Sequence, residues 1–281
     1  MDKKFLPKDR RTLNAWSRYY YSVHPDIAIF LDEIATQVCG SFYIRRGDGL
    51  VTEDIDTINK AFFEKKQFRG LSKCVDLVRE WNLIGEVIPY FEVNENSGSI
   101  DFTLLNQDHV EIKNNSLRNS KDFFLIPDDE LKGLIRSKKK EDIKLVKSLG
   151  KDIQDYIKKN KNIPLNPNYV QHILTKSSPY DLRGTSRIAK YFKTLLTEDK
   201  IREVYYENGQ KPKGDKLISE VLKRECKTET FRNSLTYQRE VLKEFLEGMF
   251  ERYRKVNGLK DSVCVVWEKP IDFEKFNEIW K

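Results

Sequence analysis

The chain has 281 residues, 39% of them hydrophobic and 34% charged, with a net charge of +7. That length holds one large domain or two smaller ones, and the apolar content suffices for a core under a heavily charged surface. No apolar run approaches the ~20 residues that span a bilayer, and the opening MDKKFLPKDRRTL lacks the apolar centre of a signal peptide, so neither a membrane protein nor an exported precursor is expected.

Residues 1–11 are polar and basic and are expected to be mobile. Pro25 and Asp26 open a helix to about Val38, with Ile27, Phe30, Leu31, Ile34 and Val38 on one face. The stretch Arg45 to Gly49 reads as a loop. Two further amphipathic helices follow, over 52–68 and 71–84, and Gly85 ends the second. Glu86 to Val93 alternates like a half-buried strand, 94–99 (NENSGS) supplies turn residues, and 100–105 and 110–113 complete a small antiparallel meander.

Residues 127–162 carry many lysines and acids over a thin apolar stripe and predict a surface helical pair. Pro164 and Pro167 make a connector, and Tyr169 to Leu174 a strand. Ser177 to Thr185 is a polar loop punctuated by Pro179 and Gly184, after which Thr185 or Ser186 can cap a helix. Residues 205–216 form a turn-rich linker. Helices over 217–223 and 235–253, a strand over 263–267 and a short helix within 271–281 end the chain. The sum is an α+β fold, mainly helical, with a small antiparallel sheet.

No phosphate-cradling loop, nucleophile elbow or zinc-protease signature is present. The cysteines (Cys39, Cys74, Cys226 and Cys264) form no C-x-x-C pair and the three histidines are scattered, so neither a zinc site nor any cofactor is implied. Two patterns carry chemistry. On the helix after Ser186, Ile188, Phe192, Leu195 and Leu196 form an apolar stripe, while Arg187, Lys190, Lys193 and Lys200 project from the other side. Cations spaced along an axis are what non-specific contact with duplex DNA needs. An exposed face neutralised by its own acids gives the same pattern. The second is Asp101 on one strand with Glu111 and Lys113 on the next, an arrangement similar to the Mg²⁺-dependent PD-(D/E)-x-K nucleases, although the Pro-Asp pair is missing.

Three segments resemble the portal proteins of tailed bacteriophages. They are the loop SSPYDLRGTS with the helix FKTLLTEDKIRE after it; LVREWNLIGEVIPYFEVNENSGSIDFTLLNQDHVEI, from Leu77 to Ile112; and WSRYYYSVHPDIAIFLDEIATQ, from Trp16 to Gln37. The resemblance implies portal-like wing and stem elements over 12–204 and a crown-side region over 217–281. It implies a structural, non-enzymatic subunit of a closed ring, of dodecamer type, at the capsid vertex. Double-stranded DNA enters and leaves through such a ring. The implied partners are further copies of the chain, duplex DNA, the terminase large subunit, the major capsid protein and a head–tail adaptor, with no membrane. The implied location is the virion, with assembly in the host cytoplasm. After Val204 a portal continues through a clip, a second stem helix and a tunnel loop, where this chain has only 205–216, so the resemblance is to an internally shortened form. The competing expectations are the nuclease and a monomeric DNA-binding assembly accessory protein.

Overall fold

A computed structural model describes residues 7–64, 70–94, 99–115, 120–148, 150–175, 181–208 and 217–279. The fold is α+β and mainly helical, with three small antiparallel sheets among the described residues where the sequence suggested one.

Helix α1 (Arg10–Val23) starts on Asp9, whose side chain accepts from the Thr12 N–H. Arg10 is already helical and ion-paired with Glu86, so the expected mobile arm does not reach it; residues 1–6 lie outside the described residues. His24 turns the chain into α2 (Pro25–Cys39), where proline sits in the first turn, whose N–H groups have no helical partner. Ile27, Phe30, Leu31, Ile34 and Val38 of α2 are buried, as their spacing requires.

Strand β1 (Phe42–Arg46) leads to α3 (Glu53–Asn59), extended by a wider turn over Lys60–Glu64. Helix α4 (Gly70–Ile84) packs closely on α2 and ends at Gly85. Next come β2 (Glu86–Asn94), β3 (Ser99–Leu105), β4 (Val110–Asn115) and β5 (Ser120–Leu125). The expected single meander is divided. A 3-10 turn at Gln107–His109 sends β4 away from β3, and β4 pairs instead with β5, a strand not expected from the sequence.

Three short helices replace the expected pair: α5 (Asp129–Arg136), α6 (Lys140–Ser148) and α7 (Lys151–Lys158). Strand β6 (Ile163–Pro164) joins β5, and β7 (Ile173–Leu174) joins β2, giving sheet orders β3-β2-β7 and β4-β5-β6. Helix α8 (Phe192–Glu207) follows a 3-10 turn at Ala189–Tyr191, and α9 (Leu217–Cys226) packs on it. Helix α10 (Glu229–Val256) has 28 residues, about 42 Å at 1.5 Å each. Strand β8 (Val263–Trp267) pairs with β1, and α11 (Glu274–Glu278) closes the fold.

One large core unites the chain from Tyr20 to Phe276. Ile218, Leu222, Phe231 and Phe245 from beyond the linker bury with Ile27, Phe30 and Trp81, so the expected division at 205–216 separates no second core. Phe30 stacks on Phe231, and Phe91 on Phe245. The β1–β8 ribbon is finished by side chains on both margins. Glu251 and Glu247 accept from the Val263 and Val265 N–H groups, and Asn59 donates to the Ile44 carbonyl. Among the described residues no helix is long and apolar enough to cross a membrane.

Candidate nucleic-acid interface and the junction at Glu86

The expected nuclease set is not assembled. Asp101 lies on β3, opposite Glu92 of β2, and is ion-paired with Lys73 of α4. Glu111 and Lys113 lie on β4, in a different sheet. Glu111 accepts from Asn162 at 2.6 Å and lies 3.4 Å from Lys113 Nζ. The physical reason is the turn at Gln107–His109, which breaks the ladder between the two strands. Among the described residues no group of three or more His, Cys, Asp or Glu side chains is placed to hold a metal ion.

The basic face is also redrawn. The regular helix begins at Phe192, not Ser186: the Ser186 hydroxyl donates to the Leu83 carbonyl (2.6 Å), its oxygen accepts from Ser17 Oγ (3.1 Å), and no side chain caps the 3-10 turn or α8. Arg187 therefore lies before the helix and turns inward. Its side chain is 12% exposed and donates to Asn82 Oδ1 (2.7 Å) and Ser234 Oγ (2.9 Å), with Glu225 at 3.6 Å. It does not project with the lysines. Lys190 is exposed and shares Glu225 at 2.8 Å. Lys193 and Lys200 are exposed on α8. Seven residues apart, they lie within about 20° of each other around the helix. Ile188, Phe192 and Leu195 bury as expected, and Leu196 is half-buried.

Helix α8 is held by a buried carboxylate that no sequence motif marks. Glu198 accepts from Arg202 (2.6 Å) and from the Ile218 N–H (3.2 Å), and lies 3.4 Å from His24 Nε2. Burial would raise its pKa, but these partners outweigh that and lower it. One side chain thus ties the α1–α2 elbow and the start of α9 to α8.

The densest polar junction surrounds Glu86. Gly85, at φ +93°, ends α4, and the loop carrying Gly184 crosses it in main-chain contact. The crossing delivers the Gly184 N–H to Glu86 Oε2 (2.8 Å) and Arg183 Nε to Oε1 (2.9 Å). His172 Nε2 lies 3.0 Å from Oε2, and Arg10 pairs with Oε1 from α1. Arg183 donates further to the Gln107 and Val110 carbonyls, and Gln107 returns a bond to the Glu86 carbonyl. The Glu86 side chain is fully buried. Burial alone would raise its pKa; the His172 bond, the Arg10 and Arg183 charges and the Gly184 N–H outweigh that and bring it down to about 2. A carboxylate so fully engaged is a poor base and a poor nucleophile, so its chemistry is to hold segments together.

The sequence signal for this junction was a lone acid inside an apolar run, Leu83-Ile84-Gly85-Glu86-Val87-Ile88. No protein-family model matches the chain, and no curated protein matches it.

Proposed function

We propose that the chain is a structural subunit of a portal-like ring, one of several copies that surround double-stranded DNA and make or break no covalent bond. One observation carries the reading. The three segments that resemble portal proteins, far apart in sequence, meet at one place: Ser17 and Arg18 of α1, Glu80, Glu86 and Asp108 of the second segment, and Arg183, Gly184 and Ser186 of the polar loop. Ser17 Oγ donates to Ser186 Oγ (3.1 Å), and Arg18 donates to Glu80 (2.8 Å) and Asp108 (3.2 Å). A resemblance scattered by chance has no reason to converge on a shared junction.

Lys193 and Lys200 are the cations best placed for the duplex. The terminase large subunit, the major capsid protein and a head–tail adaptor are the partners such a ring would meet, and the capsid vertex is where it would stand. Negative-stain electron microscopy with light scattering of the purified chain tests the reading, since it demands a closed ring of many copies. A lone subunit that binds duplex DNA without assembling would instead favour the accessory protein. Magnesium-dependent nicking of a plasmid, lost in Glu111→Ala, would overturn both.

A further inference from the structure

Strand β7 is the outer member of the β3-β2-β7 sheet. Main-chain bonds to β2 and the turn before it come from alternate residues: Gln171 N–H reaches the Pro89 carbonyl (3.1 Å) and Thr175 N–H the Gly85 carbonyl (2.7 Å), with Ile173 in register with Val87. In an antiparallel ladder the residues between them, His172 and Leu174, turn their N–H and C=O groups away from β2. No described residue pairs with those groups. The His172 side chain is 3% exposed, yet the residue as a whole is half-buried, so what it shows to solvent is main chain.

This open edge forms one wall of a cleft of about 630 Å³. The facing wall is a stripe of α10, Ser234, Tyr237, Val241 and Glu244, whose spacing of three, four and three keeps them on one side of the helix. Trp81 of α4 lines the same cleft; it is 1% exposed, and its indole N–H has no acceptor among the described residues. A buried donor without an acceptor carries a standing cost that an incoming carbonyl removes. Arg187 also lines the cleft, but Glu225, Asn82 and Ser234 already engage it, and Lys121 Nζ lies 3.1 Å from His172 Nδ1. Glu244 is exposed and in no ion pair among the described residues, so it is the acid of this cleft open to a cation.

We infer that the cleft between β7 and α10 docks an extended peptide segment of a partner protein, which adds a strand along His172 and Leu174 and sets a Lys or Arg against Glu244. Only an extended backbone offers donors and acceptors at the repeat the edge presents. A helix keeps its main-chain groups to itself, and a small anion would face Glu244. Five residues at about 3.3 Å each give roughly 17 Å of strand alongside Gln171 to Thr175. The inference stands whether or not copies of the chain form a ring.

The probe is a display library of random dodecapeptides selected on the full-length chain, with the winning sequence then synthesised. Selection is expected to converge on alternating apolar residues with one Lys or Arg, and the bound peptide to slow hydrogen exchange at the His172 and Leu174 amides. Leu174→Pro deletes an N–H that points away from β2 and should weaken the peptide about tenfold or more. Glu244→Lys, at an exposed helical position, should weaken it several-fold, and a peptide with Lys replaced by Glu should recover binding to that variant. A library that yields no binder, or a peptide whose affinity neither variant changes, overturns the inference. So does self-association of the chain that Leu174→Pro abolishes without any selected peptide, since the occupant is then a second copy.

Discussion

Gly85 and Gly184 meet through bare main chain: a Cβ on Gly184 would sit 1.9 Å from the Gly85 carbonyl oxygen, and one on Gly85 would sit 2.1 Å from the Thr185 carbonyl carbon. Neither obstacle is the flexible end of a side chain, so the backbone itself must part. Gly184→Ala is expected to cost on the order of 3 kcal/mol and lower the melting temperature by about 5–10 °C. Gly133→Ala is the contrast. That residue lies inside α5 with nothing within 4 Å of the new methyl group, and the change should stabilise by about 0.5–1 kcal/mol. Thermal denaturation followed by circular dichroism decides; equal effects at the two positions would deny the close crossing.

The Glu86 carboxyl has a pKa of about 2 in the folded chain, against 4.5 ordinarily. Its stabilising effect is therefore complete above about pH 4.5 and disappears as pH falls from there towards 2, and it amounts to on the order of 3 kcal/mol. Glu86→Gln leaves Arg10 and Arg183 without their counter-charge and should destabilise by about 3–5 kcal/mol at pH 7. The gap between wild type and variant should narrow steadily at pH 4 and pH 3. Urea midpoints at those pH values measure it, and a gap independent of pH would refute the ionised, engaged carboxylate.

Arg187 and the α8 lysines should separate by assay. Arg187→Glu places a second acid beside Glu225 in a nearly enclosed site and is expected to lower the melting temperature clearly. Lys193→Glu with Lys200→Glu alters two exposed positions and should leave the melting temperature within about 2 °C. If the chain surrounds DNA as proposed, the double lysine variant lowers affinity steeply at low salt and reduces the salt dependence by a slope of about 2. Fluorescence anisotropy with a labelled duplex at several salt concentrations reads this out. An unchanged slope would remove those lysines from any DNA contact.

Arg239 of α10 donates to the Gln37, Val38 and Lys269 carbonyls, so it satisfies the end of α2 and anchors the segment after β8. Arg239→Met keeps much of the aliphatic bulk and removes every donor. It is expected to cost about 2–4 kcal/mol, because buried carbonyls lose their partners. Slowed exchange at the Cys39 and Gly40 amides should be lost first. Unchanged protection there would mean that α2 ends without help from α10.

Much of the helical frame was legible because burial follows spacing. Residues 25–38 and 71–84 appear within a residue or so of expectation, and Leu235 to Tyr253 lies inside α10. Short strands were less legible. The Gln107–His109 turn has no strong breaker, so nothing local said that β4 would leave β3 and pair instead with β5, the next strand along the chain. Arg187 misled because of tertiary contacts. By periodicity it belongs to the lysine face, but the Ser186 hydroxyl is bonded to Leu83, and Arg187 lies in a turn followed by the 3-10 turn at Ala189–Tyr191 before α8 begins. The Glu86 junction was hidden because Arg10, His172, Arg183 and Gly184 are ordinary residues locally, and only the crossing of Gly184 over Gly85 makes them neighbours.

In the β1–β8 ribbon, with Glu247 and Glu251 along one margin and Asn59 along the other, the Val263 and Val265 N–H groups and the Ile44 carbonyl are already taken. A third strand, from this molecule or another, would have to evict those side chains before it could attach. Growth of the sheet at this ribbon therefore carries the cost of the bonds now made by Glu247, Glu251 and Asn59.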